Sequence, residues 1–311
     1  MSKKTPFVVR AIKNHIPQDI NYSFQKTISY SQFSTYNDCP LKWKLQYKDG
    51  LQEYTPTIHT VFGTAMHEVI QNYLTVMYEE SGAAADRIDI EQEFENKFRE
   101  VYLEEYKQNK NIHFSSSPEM REFYDDGLAI LNFLKRKRGQ YFSIKGWHLV
   151  GCEIPIVINP NERFKNLLYK GYLDLVLYNE NTDKHKIIDF KTSTRGWNND
   201  AKKDEGKQFQ LIFYKNYYSK QFKVPEENID IEFVILKRKI WEESDFPQSR
   251  IQEFAPPSGK IKMKKAITTL DNFLEQCFNT DGSFKDTDHQ PIVNKNCQYC
   301  PFYNRKDLCS V

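Results

Sequence analysis

The stretch that decides the fold is Ile187-Ile188-Asp189-Phe190-Lys191-Thr192, in which apolar and charged side chains alternate. A period of two predicts a short strand with Ile188 and Phe190 on one face and Asp189 and Lys191 on the other. A carboxylate there can bind a hard divalent cation, and the neighbouring lysine can stabilise charge that builds up on a phosphate. An isolated D-x-K tripeptide is more often a solvated strand edge, so its partners elsewhere in the chain decide its meaning.

A second acid precedes this strand, in the segment Gly171-Tyr172-Leu173-Asp174. Fourteen residues lie between Asp174 and Asp189, which leaves room for two strand halves and a turn. A hairpin would therefore bring the two carboxylates together, where they either share a cation or repel each other. The alternative is that Asp174 is an ordinary acid at the end of a strand.

Four more side chains are candidates for the same site, and each has a plain structural alternative. His67, on a predicted helix, can complete a His-Asp-Asp metal set as a neutral imidazole, or it can be an ordinary core or surface histidine. Glu153, in the strand before the hairpin, is either a site residue or a solvated carboxylate. Gln210 and Tyr214 lie one helical turn apart and can reach a phosphodiester or hold Lys191, or they can simply cap the sheet.

The cysteines form a separate group near the C-terminus. Cys297-Gln298-Tyr299-Cys300 is a two-residue-spaced pair, and Cys309 follows after eight intervening residues. Three thiolates in a loop-rich tail favour metal or iron–sulfur ligation over core packing, and the spacing suits zinc as well as a cluster. Cys39, near the other end of the chain, is the candidate for the fourth ligand. Cys152 and Cys277 have apolar neighbours and are predicted to be packed thiols.

Composition bounds the class of protein. The chain has 311 residues and 39% hydrophobic residues, enough for one large domain. Because 44 Lys+Arg nearly balance 42 Asp+Glu, net charge alone does not point to a polyanion partner, although local basic runs can still matter. No run of about 18 apolar residues occurs, so no membrane span is predicted, and the first residues lack the apolar core of a signal peptide. We therefore expect a cytoplasmic protein whose six cysteines serve metal chemistry rather than disulfides.

Periodicity predicts helices first and a sheet afterwards. Polar helices over 90–108 and 117–137 carry no strand signal, so residues from about 82 to 140 are interpreted as a helical insertion. Strands are expected over 147–159, 168–179, 186–192, 229–240 and 250–254, with helices over 205–221 and 260–278. Ser31 is the candidate N-cap of an early helix. This order of elements, after an N-terminal arm of residues 1–28, predicts a mixed α/β core.

Taken together, the motifs resemble those of the RecB-family PD-(D/E)XK nucleases. The resemblance rests on Ser31-x-Phe33-x-x-Tyr36-x-x-Cys39-Pro40, Gly63-x-x-x-His67, Glu153, Gly171-x-x-Asp174, Asp189-x-Lys191 and Gln210-x-x-x-Tyr214, in that order. The C-terminal cysteines make the chain similar to the branch with an iron–sulfur staple, which includes the AddB nuclease domain and the CRISPR-associated adaptation nucleases. The likeness spans about residues 30 to 309, apart from the helical insertion.

The resemblance implies a restriction-endonuclease-like fold, with a mixed sheet flanked by helices, as a single nuclease domain over residues 29–311. It implies Lys191 as the residue that orients or activates the attacking water. The implied ligands of Mg²⁺ or Mn²⁺ are His67, Asp174, Asp189 and the Phe190 carbonyl. The other residues of the implied catalytic group are Glu153, Gln210 and Tyr214.

For the cysteines, the resemblance implies a [4Fe-4S] cluster that ties an iron–sulfur tail at about 290–311 to the start of the domain. The implied ligands are Cys39, Cys297, Cys300 and Cys309. The interval between the last two is longer than is usual in this branch.

The function that the resemblance implies is a metal-dependent DNA nuclease. We expect an exonuclease on single strands or duplex ends, used in recombination, repair or phage DNA processing in a bacterial host or phage-infected cell. The alternatives are a CRISPR-adaptation-type nuclease that trims DNA and a catalytically idle iron–sulfur DNA-binding subunit. No G-x-x-x-x-G-K-[ST] loop occurs, so a helicase or recombinase partner would be a separate chain.

Overall fold

A mixed sheet forms the centre of the computed structural model, which describes residues 5–51, 55–305 and 307–309. Its strands are β1 (Lys26–Ile28), β2 (Trp147–Ile158), β3 (Leu167–Asn179), β4 (Lys184–Ser193), β5 (Ile229–Lys237) and β6 (Ile251–Phe254). The strand order is β1-β3-β4-β5-β6, and β2 pairs with β3 as well. β2, β3 and β4 form an antiparallel meander, whereas β5 runs parallel to β4. The mixed α/β core predicted from the sequence is confirmed.

Helices surround this sheet, and most have the predicted bounds to within a few residues. They are α1 (Phe7–Lys13), α2 (Tyr30–Asp38), α3 (Pro40–Trp43), α4 (Ile58–Glu79), α5 (Gly82–Asp86), α6 (Ile90–Gln108), α7 (Ser117–Tyr141), α8 (Asn199–Lys203), α9 (Glu205–Phe222) and α10 (Lys260–Cys277). The predicted N-cap Ser31 is wrong, because Ser29 caps α2 by accepting the Gln32 backbone N–H at 3.3 Å. Within the described residues, no helix is both long and apolar enough to cross a bilayer.

Two hydrophobic cores lie on opposite faces of the sheet. Ile187 is buried with residues of α2, α9 and α10, whereas its neighbours Ile188 and Phe190 are buried with residues of α4, α6 and α7. The alternation along β4 therefore has the predicted period of two. It leaves Asp189 on the side of α9.

Buried charges join the helical layer to the end of β5. Arg238 is 7% exposed, and its Nη1 lies 3.3 Å from Oδ2 of Asp126 on α7. Its guanidinium also lies 3.7 Å from the centre of the Phe123 ring, and Lys239 Nζ is 3.0 Å from Asp126 Oδ1. Because a buried charge is costly once its partner is removed, these contacts hold α7 in one position against the sheet.

Candidate active site and cysteine cavity

The candidate active site lies where β3 and β4 separate. Their antiparallel pairing ends at Leu175 and Ile188, one residue before the two acids. Beyond that point the Asp174 carboxylate, through Oδ2, accepts the Phe190 backbone N–H at 2.7 Å. The hairpin thus places the backbone next to Asp189 in contact with the Asp174 carboxylate, as the sequence predicted.

Asp189 is almost completely buried, with 1% of its surface exposed. Its Oδ1 accepts a hydrogen bond from Gln210 Nε2 on α9 at 2.9 Å, and Lys191 Nζ lies 2.8 Å from its Oδ2. Gln210 Nε2 also lies 3.3 Å from the Tyr214 hydroxyl, one helical turn along α9. Apart from the ion contact with Lys191, Oδ2 has no hydrogen-bond partner among the described residues. A buried carboxylate oxygen therefore keeps lone pairs that a cation can use.

A second group consists of His67, Glu153 and Asp174. Each supplies one potential ligand atom, and the three atoms lie within 4.8 Å of one another. His67 Nδ1 is 3.5 Å from Asp174 Oδ2. Gln71, one turn after His67 on α4, donates through Nε2 to Glu153 Oε1 at 2.7 Å and to the Asp174 backbone carbonyl at 2.9 Å. In the described part of the chain, no other trio of His, Cys, Asp or Glu side chains has this spacing.

Glu153 reaches this group through an irregular backbone. Its φ is +51°, in the left-handed region that non-glycine residues rarely adopt. Its two neighbours on β2 pair with the two neighbours of Asp174 on β3, so Glu153 stands opposite Asp174. Backbone strain of this kind costs on the order of 1–3 kcal/mol and clusters at functional sites.

Burial and neighbouring charge set the protonation of the site. Burial lowers the pKa of His67, which favours the neutral imidazole that a metal requires. Burial also raises the pKa of Asp174 well above its usual value, and the negative charge of Asp189 adds to this rise. Burial alone would lower the pKa of Lys191, but the carboxylates of Asp189 and Asp174 more than offset it, so its pKa is raised. Acids crowded in this way are stabilised in their charged form by a cation.

Residues 27–305, which include all of these site residues, match the sequence profile of the PD-(D/E)XK nuclease superfamily. The chain belongs to this superfamily. Membership implies metal-dependent nuclease activity with DNA as the substrate, and these enzymes usually use Mg²⁺ or Mn²⁺. It also identifies the mixed sheet as a restriction-endonuclease-like fold. No curated protein sequence matches the chain.

The predicted site residues of this PD-(D/E)XK protein come together as two linked groups. Asp189, Lys191, Gln210 and Tyr214 meet on the α9 side, whereas the compact trio contains His67, Glu153 and Asp174. Phe190 lies between the groups, since its backbone N–H donates to Asp174 and its ring packs edge-on against the His67 ring, with the ring centres 5.9 Å apart. Sequence reasoning missed Gln71. Its position four residues after His67 could have revealed it, because that spacing puts both side chains on one helix face.

A cavity away from these residues is lined by two segments that are distant in sequence, one around Cys39 and the other from Pro291 to Cys309. Its lining includes four of the cysteines: Cys39, Cys297, Cys300 and Cys309. Asn294 and Asn296 from the tail also donate side-chain hydrogen bonds to Asp38 Oδ1, at 3.2 and 2.7 Å. The cysteines that are about 260 positions apart in sequence are therefore neighbours in the fold.

Backbone N–H groups point at two of these sulfur atoms. Cys39 Sγ accepts hydrogen bonds from Lys42 N and Ile292 N, each at 3.5 Å, and Cys297 Sγ accepts one from Asn294 N at 3.4 Å. Hydrogen bonds to sulfur are also a feature of the cysteine ligands of iron–sulfur clusters.

The other two cysteines lie outside the cavity lining. Cys277 is buried, and burial raises its thiol pKa. Burial raises the pKa of Cys152 to about 11, in a position beside Thr75 of α4. Both therefore stay protonated at neutral pH, as packed thiols do.

Proposed function

We propose that the protein is a Mg²⁺- or Mn²⁺-dependent deoxyribonuclease of the RecB-like branch, an exonuclease on single strands or duplex ends. The observation that carries this proposal is the buried Asp189 carboxylate, held by Gln210 and in contact with the Lys191 ammonium, next to a compact group of metal-ligand side chains. The motif order supports a role in recombination, repair or phage DNA processing in a bacterial or phage-infected cytoplasm, with any helicase or recombinase as a separate chain. It also supports one nuclease domain over residues 29–311, with a helical insertion at about 82–140.

The donor set suits a hard divalent cation. Oxygen ligands are available from carboxylates of Glu153, Asp174 and Asp189, and Mn²⁺ also accepts the neutral imidazole of His67. The Phe190 carbonyl is the further candidate ligand. Asp189 Oδ2 fits this assignment, since beside its ion contact with Lys191 it keeps a lone pair that a metal cation can use. A bound Mg²⁺ or Mn²⁺ would polarise the phosphate and lower the pKa of a water molecule.

The surrounding residues hold the reacting groups in place. Lys191 can direct its ammonium at charge that develops on the phosphate and can orient the attacking water. Gln210 fixes the Asp189 carboxylate through Oδ1, which leaves Oδ2 available on the side of Lys191. Gln71 bonds to Glu153 and to the Asp174 backbone, so it keeps those two strands together at the site.

We also propose that the four cysteines of the cavity bind a [4Fe-4S] cluster. The meeting of these four cysteines in one cavity and the backbone N–H groups directed at two of their sulfur atoms support this proposal. Zinc is the rival occupant, since it also takes four thiolate ligands.

Metal-dependent cleavage of labelled DNA tests the proposed activity. The wild-type protein is expected to release nucleotides from single-stranded DNA with Mg²⁺ or Mn²⁺ and to stop when EDTA removes the metal. Labels at the 5′ end, at the 3′ end and inside the strand distinguish terminal from internal cleavage. Binding without cleavage in either metal would instead favour the idle DNA-binding subunit.

His67→Ala is expected to weaken metal dependence without removing DNA binding, because phosphate contacts come from other residues. Loss of one ligand should raise the Mg²⁺ concentration for half-maximal cleavage by about 10–100-fold, and raised Mn²⁺ should restore part of the rate. The measurement is a titration of cleavage rate against each metal. His59→Ala, an exposed histidine on the same helix α4, is the matched control. An unchanged Mg²⁺ requirement in His67→Ala would show that His67 is only structural.

A further inference from the structure

Exposed aromatic and cationic side chains continue along β3 beyond the candidate metal ligands. Tyr169 and Leu173 are fully buried in the core beneath α9. Because side chains alternate along a strand, Lys170 and Tyr172 point to the opposite face, the one covered by α4 further along the strand. Tyr172 is 45% exposed, in a stretch of β3 that pairs with β2 along one edge. On the other edge, the pairing with β1 ends at Tyr169 and the pairing with β4 begins at Leu175. A large aromatic ring is thus left open to solvent beside the gap between β1 and β4.

A second tyrosine approaches from the N-terminal segment. Tyr22 is 65% exposed, and its hydroxyl lies 3.5 Å from Lys170 Nζ. The same Nζ lies 5.6 Å from the centre of the Tyr172 ring. The hydrogen bonds to Tyr22 and Tyr172 raise the pKa of Lys170, so it is cationic at neutral pH. An ammonium group therefore lies between two exposed aromatic rings from segments distant in sequence.

The spacing of these groups fits an extended polymer with a repeating charge. Residues two apart on a strand are separated by about 6.6 Å, and residues four apart by about 13 Å. Tyr172 lies two positions and Lys170 four positions before Asp174, so the groups follow each other outward from the candidate metal site. Proteins that bind single-stranded nucleic acid combine such aromatic platforms with cations that contact the backbone.

We propose that Tyr172, Lys170 and Tyr22 form a binding track for single-stranded DNA that leads to the scissile phosphate. The tyrosine rings stack on successive bases, and Lys170 contacts the phosphate between them. A base presents its face to a side chain only when it is unpaired, so the track selects single strands and frayed ends over intact duplex. This inference rests on the proposed nuclease function and names the form of its substrate.

Equilibrium binding tests the track without interference from cleavage. All variants carry Asp189→Asn, and binding of a labelled thymidine oligonucleotide and of a blunt duplex is measured by fluorescence anisotropy in the full-length protein. Tyr172→Ala should weaken single-strand binding about tenfold through the loss of one stacked base. Tyr172→Phe should remain within about twofold because the ring is kept. Lys170→Ala should reduce the slope of log Kd against log salt by about 0.7, as for the loss of one phosphate contact.

A matched control and a second variant make the result decisive. Phe246→Ala removes an aromatic ring that is 77% exposed on the loop between β5 and β6, and it should leave single-strand binding unchanged. Tyr22→Ala, at an exposed position, repeats the test if Tyr172→Ala does not fold.

The possible outcomes separate this inference from the proposed function. The track is overturned if Tyr172→Ala and Phe246→Ala bind single strands with equal affinity. It is also overturned if Tyr172→Ala loses as much affinity for duplex as for single strands. Both conclusions hold even if the wild type cleaves DNA. Weakened single-strand binding in Tyr172→Ala supports the track, even if the wild type cleaves nothing, in which case only the nuclease proposal fails.

Discussion

Asp189→Ala and Lys191→Ala are each expected to reduce DNA cleavage by about 10³-fold or more, with the protein still folded. Asp189 offers a buried carboxylate oxygen to the metal, and Lys191 places its positive charge 2.8 Å from that oxygen. Water cannot take the place of the Asp189 carboxylate, because that side chain is buried under α9. Asp189→Ala loses some packing in the core. It also removes a negative charge close to Asp174, and the relief of that repulsion offsets part of the lost stability.

Single-turnover cleavage with enzyme in excess measures this effect, and thermal unfolding confirms that each variant is folded. Asp189→Asn keeps the shape and the Gln210 contact, so it separates the loss of charge from the loss of volume. Lys186→Ala is the matched control, since Lys186 is also on β4 and also pairs with a carboxylate, that of Glu232 on β5. Near-normal turnover in Asp189→Ala would exclude the metal-site assignment.

Cys39→Ser is expected to lose most of its iron and sulfide and to unfold at a lower temperature than the wild type. The cluster would join Cys39 to Cys297, and closing a loop of that span constrains the unfolded chain by about 4–5 kcal/mol if it is treated like a disulfide. Loss of the cluster should therefore release the tail from α2 and α3. Cleavage should fall as a consequence, although no cysteine lies among the metal-binding side chains at the active site.

Anaerobic purification followed by iron, sulfide and zinc analysis checks this expectation, beside a thermal melt of each variant. Cys152→Ser is the control, because Cys152 is a half-buried thiol outside the cavity and should leave cluster content unchanged. Full cluster occupancy in Cys39→Ser would contradict the assignment. One zinc ion and no sulfide in the wild type would contradict it equally.

The sheet was predictable from the sequence because its signal is local. Alternation of Ile188 and Phe190 with Asp189 and Lys191 is a property of neighbouring residues, and the structure keeps it. The short helices α1 and α8 were not predicted. Helix α1 has only seven residues and is stabilised by burial of Val9 and Ile12 against the rest of the fold, which no local pattern can report.

In the candidate site too, the sequence predicted the contacts that depend on local spacing and missed those that depend on the tertiary fold. Two residues on one strand face must lie close together, so the contact between Asp189 and Lys191 followed from spacing alone. The sequence suggested a His-Asp-Asp metal set, whereas the compact group contains His67, Glu153 and Asp174. Glu153 joins through a backbone irregularity that depends on how β2 pairs with β3, and such register information is tertiary.

The parallel pairing of β1 with β3 has a consequence for the newly made chain. Lys26 pairs with Leu167, which is 141 positions further on, and a ribosome adds about 5–20 residues per second. β1 therefore waits on the order of ten seconds before its partner strand β3 exists. During that time its apolar neighbours, including Val9 and Phe33, have no sheet to cover them. The contiguous meander of β2, β3 and β4 can assemble as soon as it emerges, so β1 reaches its native place after a meander that is synthesised later.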